Sequence, residues 1–106
     1  MTDLEISKAL ALAIGWKEHQ IEHHVVNKFI AVTIEDNGDY TVWKEFDYRD
    51  WHVAGPIAKK YDAFPKKLVS MKGWWADVFG KDARFADTPQ KAIALAVIAA
   101  GANHAK

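Results

Sequence analysis

The period of the hydrophobic positions changes several times along the chain, and each change marks a predicted element. Near the start, Ile6, Ala9, Leu10, Ala13 and Ile14 recur at i, i+3, i+4, i+7 and i+8, the single apolar stripe of an amphipathic helix. Thr2 and Glu5 precede it in capping-box spacing, and Gly15 ends it. Trp16, just beyond, is expected to fold back on the stripe. Lys17–His24 is polar around one apolar anchor, Ile21, and its pattern admits either a loop or further helix. Val25–Ile34 is β-branched and aromatic-rich and predicts a strand. Phe29 and Ala31 would face one way and Ile30, Val32 and Ile34 the other, so both faces should be covered. Asn37-Gly38 signals a hairpin. The strand that follows, Tyr40–Phe46, would place Tyr40, Val42 and Phe46 on one side and Trp43 on the other.

In the second half, Asp47 or Asp50 can cap a helix reaching about Asp62, with Trp51, Ala54, Ala58 and Tyr61 at helical spacing. Pro56 conflicts with that helix, because an interior proline removes a backbone bond; a start nearer Gly55 would relieve the conflict. Lys67–Lys72 predicts a short third strand, Gly73 a turn, and Trp74–Phe79 a fourth strand, with Gly80–Ala86 a loop. The strongest signal is Asp87–Gly101. Asp87 or Thr88 caps a helix start, Pro89 suits its first turn, and Gly101 is expected just past its end in a left-handed conformation. Every residue from Ala92 to Ala100 is apolar, which predicts a buried helix. A bilayer needs about 20 such residues, so the helix belongs in a protein core. Ile93, Leu95, Val97 and Ile98 supply its bulk, and its alanines allow close approach.

The predicted order is α–β–β–α–β–β–α over a single domain, residues 1–106. A doubly apolar strand needs layers on both sides. The fold class is therefore α+β, a small α/β/α sandwich with a four-stranded, mostly antiparallel sheet and helices on both faces.

Four stretches resemble the phage ABA sandwich domain, a family of small phage and prophage proteins. They are Gly15-Trp16, the run Asp50-Trp51-His52-Val53-Ala54-Gly55-Pro56-Ile57, Trp74-Trp75-Ala76, and Ala86-Asp87-Thr88-Pro89-Gln90-Lys91-Ala92-Ile93. The resemblance covers most of the chain except the hairpin at Asn37-Gly38, which looks longer than usual. It implies the sandwich and a phage setting, hence the cytoplasm of a bacterial host. These motifs are caps, turns and buried tryptophans, so the resemblance transfers no catalytic or binding residue.

Composition narrows the function classes. Lys plus Arg equals Asp plus Glu at 14 each, so the basic excess usual in a duplex-binding protein is missing. There is no cysteine, hence no disulfide framework and no thiol chemistry. The opening MTDLEISKAL is not a basic patch followed by an apolar core, and no secretory signal or membrane association is expected.

Candidate chemistry is sparse. His19 and His23 stand four apart, which on a helix would put both imidazoles on one face, a spacing used by zinc sites. No HExxH order accompanies them, and the segment is read as solvated, with no metal and no cofactor expected. Lysines and aromatics interleave at Lys59, Lys60, Lys66, Lys67, Lys72 and Trp75, as in single-strand binders that pair cationic grooves with stacking rings. Neutral net charge makes nucleic acid the second choice. No nucleophile elbow, phosphate loop or paired carboxylates appear, and no enzyme is expected. The leading expectation is a non-enzymatic phage accessory protein binding an unidentified host or phage protein. A homodimer through the alanine-rich helix is a further option.

Overall fold

A computed structural model of the chain describes residues 1–24, 29–69 and 72–104. Helix α1 spans Asp3–Ala13. Its capping box is complete: the Glu5 N–H donates to Thr2 Oγ1 at 3.2 Å, and the Thr2 N–H donates to Glu5 Oε1 at 3.0 Å. These bonds from Thr2 hold the Glu5 carboxyl below its ordinary range. At the other end Gly15 takes φ +112°. Its N–H donates to the Leu12 carbonyl at 3.2 Å, and the Trp16 N–H donates to that of Ala11 at 3.0 Å. This doubly bonded stop turns Trp16 back against the core, as expected.

The polar stretch that follows is neither loop nor continued α-helix. A 3₁₀ turn at Glu18–Gln20 leads into strand β1, Ile21–His24. Strands β2, Phe29–Asp36, and β3, Thr41–Phe46, complete an antiparallel meander in the order β1-β2-β3. Residues 25–28 of the strand expected over Val25–Ile34 lie outside the described residues. The register pairs Ile21 with Val32, Ile30 with Phe46 and Thr33 with Trp43. Ile34 is the extra residue of a bulge between Thr33 and Glu35. Ile30, Ala31 and Val32 are buried, whereas Ile34 is 53% exposed, so the expected cover of both faces holds only at the base of this hairpin.

Helix α2 spans Trp51–Tyr61 and is capped by Asp50, whose carboxylate accepts from the His52 N–H at 2.9 Å. It does not begin near Gly55. Pro56 lies inside it, tolerated on an exposed side of the helix. A left-handed Asp62, φ 51°, ends it. The expected third strand, Lys67–Lys72, contracts to β4, Lys66–Lys67; Ser70 and Met71 of that stretch lie outside the described residues. Strand β5 is Trp74–Val78, with Ala76 and Val78 buried as its alternation requires. The expected loop at Gly80–Ala86 is instead strand β6, Lys81–Ala86. Phe79 and Gly80 both take positive φ, 51° and 78°, which makes a two-residue hairpin turn and lets Val78 pair with Lys81.

Helix α3 spans Pro89–His104, with the Thr88 hydroxyl capping the Lys91 N–H at 3.2 Å. Ala92, Ile93, Ala94, Ala96, Val97 and Ala100 are buried, as an all-apolar helix predicts. Two details of that prediction fail. Leu95 is only half-buried, so Ile93 and Val97 carry the bulk. Gly101 is not past the end but within the helix, and its role is clearance: a Cβ there would sit 2.6 Å from Ala13 Cβ and 3.0 Å from Ala13 Cα.

The observed order is α–β–β–β–α–β–β–β–α, with two three-stranded antiparallel sheets, β1-β2-β3 and β4-β5-β6, in place of the expected four-stranded one. The layering differs too. Helix α3 packs against β5 and β6 and against α1 and α2, while α1 also reaches β2. The helices therefore join two three-stranded sheets. No described helix is long and apolar enough to cross a membrane.

Candidate binding cleft

The same Gly15 stop that turns the chain leaves Ile14 and Trp16 facing α2 without filling the space between them. A cleft of about 450 Å³ opens there, floored by Ile14, Trp16 and Ile57 and walled by Pro56 and Tyr61, with Gln20 and Lys60 at its rim. A second lobe of about 240 Å³ continues toward the hairpin, between α2 and the β2–β3 face carrying Val32, Ile34, Lys44 and Phe46. The lobes share Ile14, Trp16, Pro56 and Ile57. Their lining is mainly apolar, and the polar exceptions sit at the margins, the usual build of a recognition cleft.

The charged side chains lining the lobes are lysines, with one histidine beside them. Lys60 Nζ lies 5.6 Å from the centroid of the Tyr61 ring, Lys44 lines the second lobe, and His52 Nδ1 is 3.2 Å from Asp50 Oδ1. The Asp50 carboxyl is held below its ordinary range, first by the His52 amide and then by the His52 ring. None of the described residues lining either lobe is acidic.

The lysine and tryptophan residues singled out in the sequence occupy a different part of the surface. Lys66 and Lys67 of β4 pair with Trp75 and Trp74 of β5, and their Nζ atoms lie 4.5 and 5.9 Å from the respective ring centroids. Each lysine thus covers one face of its neighbouring indole by a cation–π contact. Trp75 is half-buried on the sheet face opposite Ala76 and Val78, with Phe85 beside it in register and exposed. Lys59 and Lys60 stand apart on α2, and Lys72 is an exposed residue ahead of β5. His19 sits in the 3₁₀ turn and His23 on β1, so the two do not share a helical face. Among the described residues no cluster of three or more His, Asp or Glu is arranged to hold a metal ion.

One polar constellation was not foreseen. The Tyr48 hydroxyl donates to Asp3 Oδ1, the Tyr48 N–H donates to the buried Ser7 hydroxyl at 3.1 Å, and Arg49 bridges Asp47 (2.8 Å) and Asp3 (3.3 Å). Gln90 of α3 donates to the Arg49 carbonyl at 3.1 Å. Burial, then the bond to Asp3, pushes the Tyr48 phenol far up. Burial also pushes Asp47 upward, but the hydrogen bonds from Arg49 outweigh it and leave that carboxyl below its ordinary range. Every charge here has a partner, and the links join α1, the end of β3, the start of α2 and the start of α3. This cluster clamps the fold.

Sequence reasoning recognised Gly15-Trp16 as a helix stop and Pro56 as a conflict without bringing them together. A helix stop carrying a large aromatic, and a proline held inside a helix, were the two available signals. Comparison of the chain with protein-family models, curated proteins and solved structures finds no match in any of the three.

Proposed function

We propose that the protein works without catalysis, as a phage or prophage accessory protein that binds a host or phage protein through the Trp16 cleft. The observation that carries this reading is the two-lobed cleft itself, apolar at its floor and open beside α2. Beside the apolar side chains its lining carries only Gln20, Lys44, His52 and Lys60 among the described residues, so what this surface offers a ligand is apolar area with a few marginal polar groups. The phage setting, and with it a bacterial cytoplasm, rests on the resemblance at Gly15-Trp16, Asp50–Ile57, Trp74–Ala76 and Ala86–Ile93.

A photo-crosslinking amino acid at Gln20 and, separately, at Ile34 tests the reading in bacterial cells. Both positions should give a crosslink to the same polypeptide, while Lys81, on the edge strand β6, should not. Crosslinking at the two cleft positions no stronger than at Lys81 would count against it.

A further inference from the structure

We infer that the ligand of the Trp16 cleft is an acidic, apolar-anchored peptide segment of the partner protein. This deepens the function proposed above and rests on it. Two features define the occupant. The floor, made by Ile14, Trp16 and Ile57, offers room for apolar side chains on both sides of Trp16, and two lobes of about 450 and 240 Å³ suit two anchors better than one. The charged residues in the lining are Lys60 at the larger lobe and Lys44 at the smaller, with no described acidic residue in the lining of either; the nearby Asp50 carboxylate is taken up by His52.

That asymmetry is local. The chain as a whole carries equal numbers of acidic and basic residues, so a cleft with a lysine at each lobe and no carboxylate among its described lining residues is not a reflection of composition. A neutral apolar peptide would gain nothing from the two ammonium groups, and a basic one would be repelled by both. A segment with aromatic or aliphatic anchors flanked by Asp or Glu satisfies floor and margins together, and the charges add selectivity against other apolar segments. Lys60 is already held over the Tyr61 ring, which limits the freedom lost when it meets a carboxylate.

The test is a selection of displayed short random peptides on the immobilised intact protein, followed by binding of the enriched peptides to wild type and to the Lys44→Glu/Lys60→Glu double variant. Both lysines lie at the margin of the cleft, and the variant's melting temperature checks that it folds. Enriched peptides should carry apolar anchors with Asp or Glu beside them, and the double variant should bind them about tenfold or more weakly. Enrichment of neutral or basic peptides, equal binding to the variant, or no enrichment would overturn the inference. So would amide shifts on titrating a selected peptide that map to Trp75 and Phe85 instead of Trp16 and Tyr61. Two further arms exclude other occupants: oleate displacing every selected peptide while binding more tightly would indicate a lipid ligand, and a concentration-dependent dimer with shifts at Trp16 would indicate a second copy. Failure here with crosslinks still formed at Gln20 and Ile34 would reject the acidic segment and leave protein binding standing.

Discussion

The end of α1 has two sides that are built in opposite ways. Toward α3, Ala13 meets Gly101 so closely that one methyl group would overlap. Toward α2, one and three residues further on, Ile14 and Trp16 line an open cleft. The first is packed as tightly as a protein interior, whereas the second stays open to solvent. A seam this tight beside an opening this large shows that the sequence can close α1 against a neighbour and does not do so at α2. Small residues seal one side; on the other, a proline and a tryptophan line the opening.

Substitutions can break or sharpen that contrast. The largest effect is expected on the sealed side, where Ile93 is fully buried in α3: Ile93→Ala should cost about 2–5 kcal/mol, transfer plus cavity, in denaturant unfolding. Gly101→Ala should follow. Alanine normally favours a helix over glycine by about 1 kcal/mol, yet overpacking against Ala13 costs about 1–3 kcal/mol, so the variant should melt lower than wild type. The same change on the open side should have the opposite sign. Gly55 lies inside α2 with nothing within 4 Å of an added Cβ, so Gly55→Ala should raise stability by about 0.5–1 kcal/mol. A rise at Gly101, or a fall at Gly55, would mean the two sides have been read the wrong way round.

Smaller still is the acid limb of stability. Asp47 has a lowered folded-state pKa, so its contribution is complete above the unfolded carboxylate value and is lost as pH falls through the folded one. Urea midpoints should therefore decline as pH drops below about 5, and Asp47→Asn should flatten that decline by up to about 1 kcal/mol, the scale of a partly exposed pair. The smallest effect concerns neither side of α1. With Lys66 over Trp75 and Lys67 over Trp74, a labelled single-stranded oligonucleotide should give no polarisation change at low salt. Salt-dependent binding would move the functional surface to β4 and β5.

Local chemistry was legible in the residues wherever it sufficed to place the chain. Thr2 and Glu5, Gly15 and Trp16, Asp50, and Thr88 with Pro89 mark helix ends by bonds made within a few positions, and all do so in the structure. Strand β6 was missed for a physical reason: all its residues except Ala86 are exposed, so burial left no alternation to read. Gly101 was misread because a helix-ending glycine and a glycine making room for another helix look alike until the neighbour is known. The cleft was least legible. It depends on α1 and α2 meeting at a distance, and its two traces were Gly15-Trp16, a helix stop carrying a large aromatic, and Pro56, a proline that local rules place outside a helix interior.

The seam between Ala13 and Gly101 also has a kinetic meaning. Both sheets are meanders whose pairings link strands next to each other in sequence, and the caps are more local still. The seam instead closes a loop spanning nearly the whole described chain, and contacts so distant in sequence must overcome the most chain entropy to form. Docking of α1 on α3 is thus expected after the folding barrier. Gly101→Ala should steepen escape from the native state, raising the unfolding rate in stopped-flow experiments with little change in refolding. Equal shifts in both rates would place the seam within the folding nucleus. The contact that seals the native core would then govern how long the protein stays folded, while the two meanders govern how quickly it gets there.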